Sequence, residues 1–454
     1  MSDRLNRDAD VRRAYETDAS GLCLCPDAVA RPSTIEDVVA ILRDAATTST
    51  AVTPAGAQTS TTGASISDTG ILLALGALNE IDVDRANCVV RVGPGARVAD
   101  VKRAAACEGL LLACDPTSEE ECTIGGAVAC NASGARSLKY GPVRGHVLAL
   151  RVALADGRLI DVRRSHLEKN TAGYALAQNP IDWFIGSEGT LGVVVEAELQ
   201  LVPLPESVVG IAVPFASEQA ALSFVVAARD SAAVHPRCIE YFDALAFGIA
   251  RTADDQSRWA PGAATFVYVE QEVEDHDRDS VLDRWLALAE VHDAHDDLRV
   301  FEGEADLRHA REMRHAVPST MNERGAQRRA EGGRKVSTDW AVPYRRLAEA
   351  IAAARRIARE RGAEPVIYGH AGNGHPHQNF IAHDAAELVS IEAAVEETLR
   401  TVIAMGGTVA AEHGIGKLKR KWLPMQMSAL QIAVMRAVKH ELDPDGILAP
   451  GNIL

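Results

Sequence analysis

Three glycine-rich turns constrain this chain most: PAGAQTSTTGAS (54–65), DPTSEEECTIGGAVACNASGARSLKYG (115–141) and GSEGTLG (186–192), each after a strand-like run. Glycine at such places lets backbone approach a ligand and turns N–H groups toward phosphate. Thr59, Ser60, Thr62 and Ser65 add hydroxyl donors to the first turn, which holds no basic side chain. None of the turns has the G-x-G-x-x-G spacing of a Rossmann turn, and no lysine follows a G-x-x-x-x-G as in a P-loop. A fold that grips a phosphate-bearing ligand with neutral donors from several separate turns is therefore expected.

The 454 residues exceed what one ordinary core organises, so two or three domains are expected. Apolar periodicity predicts helices over 8–20 and 33–48, the latter capped by Ser33 or Thr34, and one after Gly95 that closes at Gly109. LLLACDP reads as a strand, and HVLALRVALADGRLIDV as a hairpin about Asp156–Gly157. Past Pro203–Pro205 the composition shifts to Ala- and Arg-rich helices near 217–231, 276–291, 304–330 and 344–361, with strands FVYVE and PVIYGHA between them. The expected domains are 1–205, 206–405 and a terminal segment 406–454 that packs back on the first.

Lys plus Arg number 47 against 63 Asp plus Glu, a net charge of −16. That balance argues against nucleic acid as a partner and disfavours tight docking on anionic lipid. The N-terminus MSDRLNRDAD is charged from the start, and no apolar run reaches the length of a spanning helix. Cytoplasmic residence is expected, with peripheral membrane contact left open. Eight cysteines without a C-x-x-C pair are expected to be mostly reduced and buried.

An ordered set of short motifs carries a resemblance: D-P-T-S (115–118), C-T-I-G-G (122–126), N-A-S-G (131–134), K-Y-G (139–141), A-D-G (155–157), A-G-Y-A-L (172–176) and G-S-E-G-T-L-G (186–192). Together they resemble the vanillyl-alcohol-oxidase-type FAD-binding domain. Within that superfamily they resemble the group of glycolate oxidase, D-lactate dehydrogenase and D-2-hydroxyglutarate dehydrogenase. The resemblance implies an α+β fold: an FAD-binding domain of two subdomains, an α+β substrate or cap domain, and a C-terminal segment returning to the FAD domain. It assigns Gly56, Ala57, Gln58, Thr59, Ser60 and Gly63 to the pyrophosphate. Pro116, Thr117, Gly125, Gly126, Ala129, Asn131, Gly134 and Tyr140 fall to the flavin and ribityl chain. Glu188, Gly189, Gly192 and Val193 fall to the adenine side or ring edge, and Asn452 closes the site. The group's usual R-G-G-G-T reads A-G-A-Q-T here, without the arginine and with two glycines filled. With no His or Cys in that loop, FAD is expected to be non-covalent.

VIYGHAGNGHPHQNF (366–380) is the most chemical segment of the second half. On one straight strand the seven-residue spacing of His370 and His377 puts the rings on opposite faces, but a turn at Gly372–Gly374 lets a hairpin bring them to one side. With Glu412 of AAEHGIG they make two imidazoles and a carboxylate, a catalytic rather than structural metal set, for Zn, Mn or Fe. The resemblance agrees: its pattern H-x-G-D-G-N-x-H-x-N, then G-E-H-G-x-G, makes His370, His377 and Glu412 metal ligands, His413 the catalytic base and Asn379 a substrate contact. Two departures are Asn373 for aspartate and His375 for asparagine; the first removes a carboxylate expected to orient a ligand, and the second is open as an extra ligand or a substrate contact. In HAREMRHAVPSTM, Arg314 is expected to anchor a substrate carboxylate, with Lys335 as a second anchor.

The implied activity is oxidation of a D-2-hydroxy acid, D-lactate-like or D-2-hydroxyglutarate-like, to the 2-oxo acid with hydride passing to FAD. A flavoprotein subunit of a multi-subunit glycolate oxidase and a metal-dependent hydrolase are the alternatives. The electron acceptor (quinone, cytochrome or electron-transfer flavoprotein) and a homodimer are left open.

Overall fold

The computed structural model describes residues 4–253 and 259–454. The chain forms two compact units, one of residues up to 134, 140–204 and 412–454, the other of 135–139 and 205–411.

In the first unit a four-stranded sheet runs Leu5–Asn6, Ala28–Ala30, Ile71–Ala74, Val52–Ala55, the last two pairings parallel. A five-stranded antiparallel sheet runs Ile81–Asp84, Val89–Val92, Val193–Gln200, Val147–Ala153, Leu159–Arg163. The helix Ile35–Thr47 starts where the Thr34 hydroxyl accepts the Asp37 N–H at 3.1 Å. Val38, Ile41, Leu42 and Ala45 recur at helical spacing and bury against residues of both sheets, among them Leu73, Val193 and Val195. Ile447 and Leu448 complete the same core, and Val52 exchanges backbone hydrogen bonds with the 447–449 segment. The Asp156–Gly157 turn is a hairpin turn, with Gly157 at φ +76°.

Three expectations are corrected. The helix expected over 8–20 spans only Ala9–Arg13: Asp8 caps it, and the backbone N–H of Leu24 donates to Glu16, folding the chain back. LLLACDP pairs only through Leu110–Leu111, against Val202–Pro203. Of the cysteines, all free thiols, only Cys114, Cys122 and Cys238 are buried.

The second unit is built on a seven-stranded sheet in the order Arg299–Glu302, Ser207–Phe215, Thr265–Val273, Pro236–Phe242, Val366–His370, His375–Asp384, Gly332–Ser337. Every pairing is antiparallel. The helix Gly303–Gln327 lays Leu307, Ala310, Met313, Val317 and Met321 on Phe242, Tyr268, Phe301 and Tyr368. Strand residues alternate between faces, so those aromatics mark the face this helix covers.

Candidate functional site

Register decides which side chains share that face. Tyr368 pairs with His377, and His370 with His375, across the Val366–His370 and His375–Asp384 strands. Alternation then aligns Tyr368 and His370 on one strand with His375, His377 and Asn379 on the other. Phe242 pairs with Tyr368, which puts Glu240 on the same face. Asn379 pairs with Ser337, and Ile381 with Lys335, which adds Lys335. The turn between the histidines is one 3-10 turn, Ala371–Asn373, closed by Gly374 at φ +68°. A Cβ at Gly374 would stand 2.0 Å from the Val342 carbonyl oxygen, so this turn requires glycine.

The three imidazoles stand close together. Ring centroids are 5.4 Å apart for His370 and His375, 5.4 Å for His370 and His377, and 4.6 Å for His375 and His377. One nitrogen of each lies within 4.8 Å of the others. His370 and His375 are buried, and His377 is half-buried. The Glu240 carboxylate meets His370 Nδ1 at 2.6 Å and the Arg314 guanidinium at 2.8 Å. Asp339 lies 3.1 Å from His375 Nε2. Asn379 is fully buried and makes no regular hydrogen bond through its amide, although the Tyr368 hydroxyl lies beside it. Burial pushes the Tyr368 phenol up, against the pull of Arg314 and Asn379. Burial pushes Lys335 down to about 8, and its ammonium donates to Asn322 at 2.8 Å. Arg314 reaches the imidazoles through Glu240 and Asn379 lies beside Tyr368, whereas Lys335 shares the sheet face opposite Ile381 with its ammonium turned to Asn322. Asn373 is exposed on the turn between the histidines.

Sequence reasoning missed Glu240 and Asp339. The signal for Glu240 was present as a lone carboxylate inside the apolar strand run CIEYF. The same unit buries Glu270, bonded by Arg237 at 2.7 Å, Arg136 at 3.2 Å and the Tyr268 hydroxyl at 2.9 Å. Burial raises this carboxyl, but the two guanidiniums outweigh it and hold it down to about 2.

In the first unit the glycine-rich turns assemble on one another. A Cβ at Gly56 would meet Thr123 Oγ1 at 2.3 Å, and one at Gly134 the Asp115 carbonyl at 1.7 Å, so these glycines serve loop-on-loop packing. A Cβ at Gly192 would meet the Val152 side chain at 2.4 Å, and the Val193 side chain sits in the core. Glu188 donates its N–H to Ala129, and Gly186 its N–H to Val128, which ties the 186–192 turn to the helix Ile124–Cys130. Asn131 ends that helix in left-handed conformation and accepts the Arg144 N–H. Pro116 is buried and Thr117 exposed, while Tyr140 ends the short helix Ser137–Tyr140. Gln58 stands at φ +55° where the related pattern has glycine, and its amide donates to the Tyr15 carbonyl at 2.9 Å. Ser60 Oγ accepts the N–H groups of Thr62 and Ala64.

The C-terminal segment joins this assembly. Glu188 accepts the N–H of Ile415 at 2.6 Å and of Gly416 at 2.7 Å, just beyond Glu412 and His413. Burial raises the Glu188 carboxyl, and those two donors only partly oppose it. Lys417 donates from Nζ to the Gly63 carbonyl and to Asn452, whose amide in turn donates to the carbonyls of Ala64 and Glu188. The turn that lacks a basic residue of its own thus has Lys417 bonded to it from a distant part of the sequence. A lysine and hydroxyl-bearing side chains at one turn are groups of the kind that hold a diphosphate.

Residues 26–163 match the family described as FAD binding domain, and residues 204–453 match FAD linked oxidases, C-terminal domain. The chain belongs to the FAD-linked oxidase family. It is 30% identical over 452 residues to a D-lactate dehydrogenase of Archaeoglobus fulgidus, covering 97% of this chain and 95% of the relative. It is 30% identical over 442 residues to the glycolate oxidase subunit GlcD of Bacillus subtilis, covering 94% and 89%. An alkyldihydroxyacetonephosphate synthase structure superposes with a TM-score of 0.77 at 19% identity, over 99% of this chain and 82% of that one. This family member is accordingly an FAD-linked oxidoreductase of the vanillyl-alcohol-oxidase-type fold. Among the described residues no helix is long and apolar enough to cross a membrane.

Proposed function

We propose that the protein oxidises a D-2-hydroxy acid to its 2-oxo acid, with FAD held non-covalently and a divalent cation at the imidazole cluster. The observation that carries this reading is His370 and His377 drawn to one sheet face beside Arg314, Asn379 and Lys335. Family membership supports FAD, and relatives named for D-lactate and glycolate support a 2-hydroxycarboxylate. Bound FAD supplies a two-electron acceptor and a bound zinc, manganese or iron ion a Lewis acid.

In this reading His370, His377 and Glu412 hold the cation. Arg314, with Lys335 as a second anchor, binds the substrate carboxylate, and the Asn379 amide fixes its orientation. The second N–H edge of a guanidinium suits a carboxylate while the first is engaged with Glu240. His413 takes the hydroxyl proton as the C2 hydride leaves, so C2 loses two electrons and the hydroxyl becomes a carbonyl. The loop that carries His413 is clamped by Glu188, which supports a fixed base.

The test is anaerobic bleaching of the flavin absorbance with D- and L-lactate and with D- and L-2-hydroxyglutarate. D-selective bleaching is expected, abolished in His413→Asn with FAD still bound. L-selective bleaching, or near-normal bleaching in His413→Asn, overturns the reading. A preparation that takes up no FAD overturns it entirely.

A further inference from the structure

His375 occupies the position where the related pattern has asparagine, and its ring sits nearer to His377 than His370 does. We infer that His375 is a third imidazole ligand of the cation, so that this chain presents three nitrogens to it from one hairpin. The inference rests on the metal reading of the site and goes beyond it in ligand number and in the metal selected.

Three observations carry it. The first is distance: one nitrogen from each of His370, His375 and His377 lies within 4.8 Å of the others. Tetrahedral metal–nitrogen bonds of ~2.0–2.1 Å place donors ~3.4 Å apart. The donors thus stand within about 1.4 Å of that spacing.

The second is orientation. Glu240 on His370 Nδ1 puts the ring proton there and the lone pair on Nε2. The Asp339 carboxylate lies 3.1 Å from His375 Nε2, which puts a second buried carboxylate against the cluster. A carboxylate behind an imidazole is the arrangement that orients metal-ligating histidines and raises their basicity. Both carboxylates are about 1% exposed, so water does not compete for them. Asp339 is itself fixed, since its carbonyl accepts the Ala411 N–H at 2.8 Å and the neighbouring Thr338 hydroxyl accepts the Gln378 N–H.

The third is the turn. Gly374 brings His375 directly opposite His370 in register, and this register alone sets both rings on the helix-covered face. An asparagine there would offer an amide oxygen, a harder donor. Three imidazoles instead favour zinc, cobalt(II) or nickel over manganese or magnesium.

The experiment uses the full chain with FAD bound, stripped of metal by chelator and titrated separately with Zn2+, Co2+ and Mn2+. Competition with a chromogenic chelator reads affinity, and the visible d–d absorption of Co2+ reads the ligand set. His375→Asn is expected to weaken Zn2+ and Co2+ by roughly 100-fold and Mn2+ by less than about 3-fold, and to alter the cobalt spectrum. Asp339→Asn is expected to weaken Zn2+ by ~10–100-fold. Flavin absorbance and far-ultraviolet circular dichroism check folding, and His375→Gln serves if His375→Asn fails that check. Unchanged zinc affinity and an unchanged cobalt spectrum in the folded variant overturn the inference. A wild-type chain that binds none of the three cations refutes the metal reading beneath it, a distinguishable result.

Discussion

Glu240→Gln tests the polar logic of the imidazole cluster most directly, because the exchange keeps volume and removes only charge. The carboxylate serves two partners, His370 Nδ1 at 2.6 Å and Arg314 at 2.8 Å, and its side chain is 1% exposed. A glutamine amide has one oxygen and one NH2. With the oxygen toward His370, the NH2 confronts the Arg314 donors and leaves the guanidinium charge uncompensated. With the NH2 toward His370, the ring must take the other tautomer, which places a proton on Nε2 where the cation would bind. Removing one partner of a buried ion pair costs ~3–5 kcal/mol. Arg314 keeps some solvent, its side chain being 16% exposed, so about 2–3 kcal/mol is expected in urea unfolding of the second unit. Loss of an orienting carboxylate weakens metal by ~10–100-fold. The assays are denaturation followed by circular dichroism and zinc competition against a chromogenic chelator. A variant with zinc affinity within about 3-fold of wild type would refute the role assigned to Glu240.

Two further outcomes follow. Glu270 is held at about 2 in the fold against an ordinary 4.5, so its contribution is present above pH 4.5 and is lost as pH falls toward 2. The loss is roughly 3 kcal/mol, and Glu270→Gln should flatten stability over that window; an equally steep acid limb in the variant would rule this out. Lys335 is pushed down to about 8 by burial, so its charge disappears as pH rises through that value. If it anchors the substrate carboxylate, KM rises above pH 8 and the rise moves to higher pH in Lys335→Arg; a KM independent of both would remove Lys335 from the substrate site.

What could be read in the sequence was local, and what could not was tertiary. Helices such as Glu218–Asp230 and Leu347–Glu360 carry their own periodicity and lie within a few residues of expectation. The hairpin at 366–380 was readable because glycines at 372 and 374 leave the chain little choice but to turn. Glu240 is marked locally by the apolar run around it, but its partners His370 and Arg314 are not, and nothing local distinguishes Asp339 from a solvated acid. Lys417 meets Gly63 across more than 350 residues, a pairing no spacing rule encodes. The helix at 9–13 ended early because the chain after it folds back through the hydrogen bond from the Leu24 N–H to the Glu16 carbonyl, which overrides helical propensity.

The closing segment of the first unit carries a temporal consequence. Ile447 and Leu448 fill a core whose other members begin at Ala30, and Val52 is bonded on both sides by the 447–449 backbone. A ribosome delivers those residues after the whole of the second unit. The second unit, wholly contained in residues 135–411, has all its strands outside the exit tunnel well before that. Vectorial synthesis therefore finishes the sheet that bears the imidazoles first, and the glycine-turn assembly waits, with an open apolar seam, for residues 447–449.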